Sequence, residues 1–149
     1  MDQEDGERRH VVTDPELTLH SMIDQRASEW LLRELRFPVL AIVAPNGAPN
    51  QSVMWFDLDP KRPDTIVMNT KSGRAKNRWL CEGARLSLLF EDGLFYYAFQ
   101  GRAELDDDPD RALAVIKELA RRYCNDPSIF DGQKRVTIRM RVDKVIRHD

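Results

Sequence analysis

The stretch Thr65-Ile-Val-Met-Asn-Thr-Lys-Ser-Gly-Arg-Ala-Lys-Asn-Arg-Trp-Leu80 constrains this chain most. Ile66, Val67 and Met68, with threonine at both ends, predict a strand over Thr65–Thr70. Ser72 and Gly73 break that pattern, and Arg74 to Cys81 favours helix. A strand, a short loop and a helix start together aim unpaired backbone N–H groups at an anion. Lys71, Arg74, Lys76 and Arg78 add positive charge there, although the chain carries a formal net charge of −2. Cations at a helix N-terminus oppose its dipole, at about 0.3–1 kcal/mol each when exposed, and a polyanion reverses that cost. The stretch therefore reads as a phosphate-binding corner. The same cations would also suit an ordinary solvated face. Neither the Walker A spacing nor a three-glycine dinucleotide fingerprint is present.

The 149 residues, 42% hydrophobic and 32% charged, suit one soluble globular domain. We expect a flexible tail over residues 1–12 and a single domain over 13–149. Cys81 and Cys124 form no disulfide framework or metal motif, which fits a reducing cytoplasm. His10, His20 and His148 share no ligand spacing, so no metal site is expected. The longest apolar run, Val39 to Ala44, is too short to span a membrane, and the first ten residues lack the apolar core of a signal peptide.

Thr13-Asp14-Pro15-Glu16 has the form of a helix start. A second helix is predicted over Ile23–Leu35, with Ile23, Ala27, Trp30, Leu31 and Leu35 on its apolar face. Val39–Ala44 reads as a strand buried on both faces. Asn46-Gly47 is a strong hairpin signal, and a second strand follows from about Pro49 to Leu58. Leu86, Leu88 and Phe90 mark one face of a strand over Arg85–Phe90. Leu94–Glu104 is a long strand, where Gly101 signals a bulge, a bend or a close backbone approach. Asp108-Pro109 caps a helix over Asp110–Tyr123. Arg135–Val142 alternates strictly, with Val136, Ile138, Met140 and Val142 inward and Arg135, Thr137, Arg139 and Arg141 outward. Val145 and Ile146 extend that sheet. About six strands, mostly in hairpins, predict an α+β fold: a mainly antiparallel small barrel with peripheral helices.

Four features, in this order and spacing, give the chain a family resemblance over roughly residues 37–145. They are the hairpin whose second strand ends in Trp55-Phe56, then Asn69-Thr70 followed by Ser72-Gly73-Arg74-Ala75-Lys76-Asn77, then Ala84-Arg85-Leu86-Ser87-Leu88, and last Gln100-Gly101-Arg102-Ala103-Glu104 before an acidic helix start. The sequence resembles the pyridoxamine-phosphate-oxidase-like flavin and deazaflavin proteins, whose fold is a split β-barrel. The resemblance implies a homodimer with its cofactor in a groove between subunits. It implies that Arg74 and Lys76 hold cofactor phosphate, with Lys71, Ser72, Asn77 and Thr70 as neighbours. Gln51, Ser52 and Val53 are implied to lie along the ring system. Trp79 stands where many relatives have asparagine.

Hydride transfer through a bound cofactor needs no protein nucleophile or acid–base pair, and the chain offers no convincing one, so no catalytic side chain is assigned. The Lys71–Asn77 run, and a chain that stops soon after its last strand, lean toward the branch using the deazaflavin F420. That implies a reductase acting on an unsaturated or quinone-like small molecule. FMN needs the same corner, so an FMN-binding oxidoreductase stands as the alternative, and a non-catalytic cofactor-binding module as a third. A nucleic-acid role lacks support. No basic stripe accompanies Phe95, Tyr96, Tyr97 and Phe99, which read as core and dimer interface.

Overall fold

The computed structural model describes residues 10–11, 22–74 and 78–149. Eight strands form one antiparallel sheet: β1 (His10–Val11), β2 (Val39–Val43), β3 (Pro49–Val53), β4 (Asp57–Leu58), β5 (Thr65–Lys71), β6 (Arg85–Asp92), β7 (Phe95–Asp106) and β8 (Arg135–His148). Helices α1 (Gln25–Leu32) and α2 (Pro109–Arg122) accompany them, and a 3₁₀ turn covers Pro127–Phe130. The sheet runs β3-β2-β6-β7-β8-β5-β4, with β1 paired to the far end of β8 through Arg147 and Ile146. The helix start at Thr13 lies outside the described residues.

Chain connectivity makes this sheet a barrel. Seven strands about 4.8 Å apart would span about 29 Å if flat. Yet its two edge strands, β3 and β4, are separated only by Met54, Trp55 and Phe56. From Val53 to Asp57 the chain reaches at most about 14 Å. The sheet must curl until its edges nearly meet. The edges do not pair with each other in the described residues, so the result is a split barrel of the α+β class.

The core fills that barrel. Phe56, Phe90, Phe99, Leu40, Leu88, Ile66, Met68, Ile138 and Met140 are almost wholly buried. Phe90 sits at the centre of an aromatic cluster, with Phe56 edge-on at 4.7 Å and Phe99 at 5.6 Å between ring centroids. Helix α1 closes one end through Ala27, Trp30 and Leu31. It stops at Leu32, short of the expected Leu35, because Arg36 turns back to donate from Nε to the Trp30 carbonyl at 3.0 Å and lays its guanidinium on the Trp30 ring. Leu35 is consequently exposed, not on the buried face.

Other expectations meet tertiary constraints. The strand predicted over Pro49–Leu58 is two strands, since residues 54–56 must turn from one sheet edge to the other. β2 is not buried on both faces: Leu40 and Ile42 point inward while Val43 is 61% exposed. The alternation of β8 holds for Ile138, Met140 and Val142, but Arg135 and Thr137 are buried rather than outward. Helix α2 lies over that face, where Asn69 of β5 donates from Nδ2 to the Ala112 carbonyl. Of the helix expected over Arg74–Cys81, Arg78 is in 3₁₀ conformation and Trp79–Cys81 are not helical, the chain leading through buried Leu80 to β6; residues 75–77 lie outside the described residues. Helix α2 follows its expected course, with the Asp108 side chain accepting from the Arg111 N–H.

Gly101 fulfils its signal. The β7–β8 register shifts between Gln100 and Gly101, and a Cβ at Gly101 would lie 2.0 Å from the backbone oxygen of Arg141. Gly101→Ala should therefore cost about 3 kcal/mol or more. That corresponds to a fall in Tm of about 6 °C or more, read by scanning calorimetry.

The short linker is held from α2. Tyr123 Oη accepts the Phe56 N–H at 3.2 Å and donates to the Arg36 carbonyl, and Arg122 Nε donates to the Phe56 carbonyl at 3.0 Å. Tyr123→Phe leaves the buried Phe56 N–H without an acceptor. We expect a loss of about 1–3 kcal/mol, read as a lower urea midpoint with an unchanged slope. An unaltered midpoint would mean that the linker does not depend on this bond.

Candidate functional site

The opening of the barrel gathers residues that are distant in sequence. β4 pairs only with Ile66 and Val67 of β5, whereas β8 pairs with all of Thr65–Lys71. The edge of β5 from Met68 to Lys71 thus has no strand opposite β8. Running the β4–β5 register backward sets Phe56 against Met68 and Trp55 against Asn69, after which the chain diverges into β3. The split therefore has β3, with Gln51, Ser52 and Val53, on one lip, and the end of β5 with Thr70, Lys71 and the Ser72–Arg74 loop on the other. Gln51 and Val53 are exposed and Ser52 is half-buried.

The loop turns through Gly73, whose φ of +85° is left-handed. Ser72 is anchored by its N–H to the Lys134 carbonyl at 2.9 Å. Arg74 and Arg78 are exposed, and neither forms an ion pair with any described residue. Beside the loop lies a cleft of about 360 Å³ bounded by Ser72, Gly73, Leu80, Leu105, Asp107 and Val136. Lys76 and Asn77 lie outside the described residues. Thr70 differs from its neighbours: it shares the interior face with Ile66 and Met68, is 2% exposed, and its Oγ1 has no hydrogen-bond partner among the described residues. A ligand in the split would meet Thr70 at its backbone.

Periodicity did not single out the wall behind the split. Trp55 stacks on Tyr123 with centroids 5.2 Å apart and meets Phe130 edge-on at 6.1 Å. Arg135 lies over Phe130 at 5.2 Å and donates from Nε to Asn69 Oδ1 at 2.9 Å. This chain of contacts joins the Trp55 lip to the Asn69 lip. Arg135 is 7% exposed. Burial first, and then the positive Arg74, push its guanidinium down to about 10, still a cation at neutral pH. Burial also raises the Tyr123 phenol, which stays neutral as a hydrogen-bonding pivot. Strict alternation placed Arg135 outward, and only its packing against Phe130 and Asn69 reveals it as buried.

A larger groove of about 600 Å³ lies elsewhere, between the Asp59–Arg62 loop and α2. None of the residues expected to bind the cofactor is among those that line it. Among the described residues no cluster of histidine, cysteine, aspartate or glutamate could hold a metal, and no helix is long and apolar enough to cross a membrane.

An open strand edge, an aromatic wall and cations without acidic partners suit a flat ring system carrying an anionic tail. Comparison with known proteins agrees. The family model described as pyridoxamine 5'-phosphate oxidase matches residues 23–149. The chain belongs to this family. Among solved structures, an F420 reductase is 25% identical, with a TM-score of 0.65 over 78% of this chain and 94% of its own. A conserved hypothetical protein of Mycobacterium tuberculosis, Rv2991, is 22% identical with a TM-score of 0.67, covering 84% of each chain. A putative pyridoxamine 5'-phosphate oxidase of Lactobacillus delbrueckii is 14% identical with a TM-score of 0.60, over 82% of this chain and 91% of its own. The last two likenesses concern the fold alone. No curated protein matches the chain. Membership in the family supports an oxidoreductase that uses a flavin-type cofactor, flavin or deazaflavin.

Proposed function

We propose that this chain is an F420-binding reductase that passes hydride from the reduced deazaflavin to an unsaturated or quinone-like small molecule. The observation that carries the reading is the split itself: an open β5 edge ends in a loop whose Arg74 and neighbouring Arg78 lack acidic partners among the described residues. The likeness to a solved F420 reductase supports it. In this reading Arg74, Lys71, Ser72 and the loop residues Lys76 and Asn77 bind the anionic tail. Gln51, Ser52 and Val53, with the backbone at Thr70, border the ring system. The Trp55–Tyr123–Phe130 wall keeps water from the back of the groove. The cofactor supplies the redox chemistry, and no side chain of this protein is assigned a proton-transfer role. FMN is the second reading, favoured by the match to the oxidase family model.

A homodimer completes the groove. The outer face of the sheet carries a cross-strand row, Val53–Val39–Leu89–Ala98–Ile146, with Val53 66% and Leu89 39% exposed. An apolar row of this kind suits a second copy of the chain. The two free cysteines, Cys81 and Cys124, fit action in the cytoplasm.

Fluorescence titration of the purified protein with F420 and with FMN, at matched salt, tests the cofactor. Binding of F420 at least about tenfold tighter than FMN is expected, a gap of about 1.4 kcal/mol. The reverse order would select the flavin reading, and binding of neither would remove both. For the assembly, sedimentation at micromolar concentration should give a dimer. A monomer there would leave half a groove and end the proposal of an interfacial site.

A further inference from the structure

Arg135 poses an electrostatic question that the fold alone does not answer. It is 7% exposed at the start of β8. Its Nε donates to Asn69 Oδ1 at 2.9 Å and its Nη1 to Gln133 Oε1 at 3.0 Å, both neutral acceptors. Its remaining contact is the Phe130 ring. No described carboxylate pairs with it. Its register partner across the sheet is another cation, Lys71, and Arg74 lies near enough to repel it. Burying an arginine without a counter-charge is costly, and pointing it toward further cations adds to the cost. Ion pairs such as Arg62–Glu104, Arg85–Asp143 and Arg111–Asp106 show that carboxylates are available elsewhere in this chain; here, Asn69 and Gln133 stand where acids would neutralise the charge.

We infer that Arg135 is a specificity-determining residue of the split, whose buried charge acts with Arg74 to select a phosphate-bearing ring system over the same ring without phosphate. The inference rests on the reading above that the split takes an anionic cofactor. Arg74 is exposed, so salt screens it, whereas Arg135 sits behind the loop in a low-dielectric wall where screening is weak. Asn69 holds the guanidinium in place, itself fixed by its bond to the Ala112 carbonyl of α2. The two side chains thus carry different parts of one preference. Arg74 sets the salt-sensitive part and Arg135 the part that survives salt.

The test compares FMN with riboflavin, and F420 with its bare deazaflavin chromophore, in wild type, Arg135→Gln, Arg135→Lys and Asn69→Asp. Asn69→Asp neutralises the guanidinium in place and carries the test if Arg135→Gln does not fold. In wild type, preference for the phosphorylated ligand should persist in part at about 0.5 M salt. Arg135→Gln and Asn69→Asp should each weaken the phosphorylated ligand about tenfold or more, leave the neutral ring within about twofold, and abolish the salt-resistant preference. Arg135→Lys should keep it. Equal loss for both ligands, or no loss, would make Arg135 a packing residue and overturn the inference while leaving the cofactor reading intact. If wild type bound neither ring system, the cofactor reading would fall. Thermal stabilisation by pyrophosphate would then decide: present in wild type and lost in Arg135→Gln supports the anion role, and none in wild type overturns it.

Discussion

The fold depends on a three-residue linker that joins opposite edges of one sheet. Met54, Trp55 and Phe56 leave no slack, so the sheet cannot lie flat. A linker at a sheet edge has backbone groups that no neighbouring strand satisfies, and Phe56 is fully buried. The end of α2 resolves this. Tyr123 takes the Phe56 N–H, Arg122 supplies a donor to its carbonyl, and Tyr123 reaches on to the carbonyl of Arg36, whose side chain folds back onto α1. One tyrosine therefore ties together the split, the long helix and the closing helix of the core. The same ring forms the stacking partner of Trp55, so the clasp that closes the barrel also builds the wall of the opening.

The electrostatics of the opening follow from that architecture. Because β4 stops after two residues, the end of β5 keeps an open edge, and the loop beyond it presents its cations there. Several cations of the surface are matched elsewhere: Arg62 and Arg141 meet Glu104, Arg85 meets Asp143, and Arg111 meets Asp106. At the split, Arg74 and Arg135 have no such partner among the described residues, and each raises the cost of the other. A buried arginine without a carboxylate partner, next to an exposed one, raises the local potential for an anion.

Much of this was legible beforehand. The outer edges of most strands, the Asp108 cap of α2, the Asn46-Gly47 hairpin and the close approach at Gly101 carry local signals that do not depend on distant residues. The loop from Lys71 to Arg74 was marked by charge and by glycine, both of which are local signals. The β3–β4 corner was missed because residues 49–58 read as one extended run, and nothing local says where the barrel turns. Arg135 was missed for a related reason: alternation assigns a side to each residue but does not say what covers that side.

The sequence by itself determined the strands, the long helix and the cationic loop, since periodicity, capping and turn chemistry act within a few residues. It also determined that the chain could reach the family's fold. Only the tertiary structure decided that three residues bridge the two sheet edges, that Tyr123 and Arg122 satisfy the linker between them, and that Arg135 is buried against Asn69 and Phe130. These are contacts between residues some 66 or more positions apart, and their energies depend on burial, which no local pattern contains.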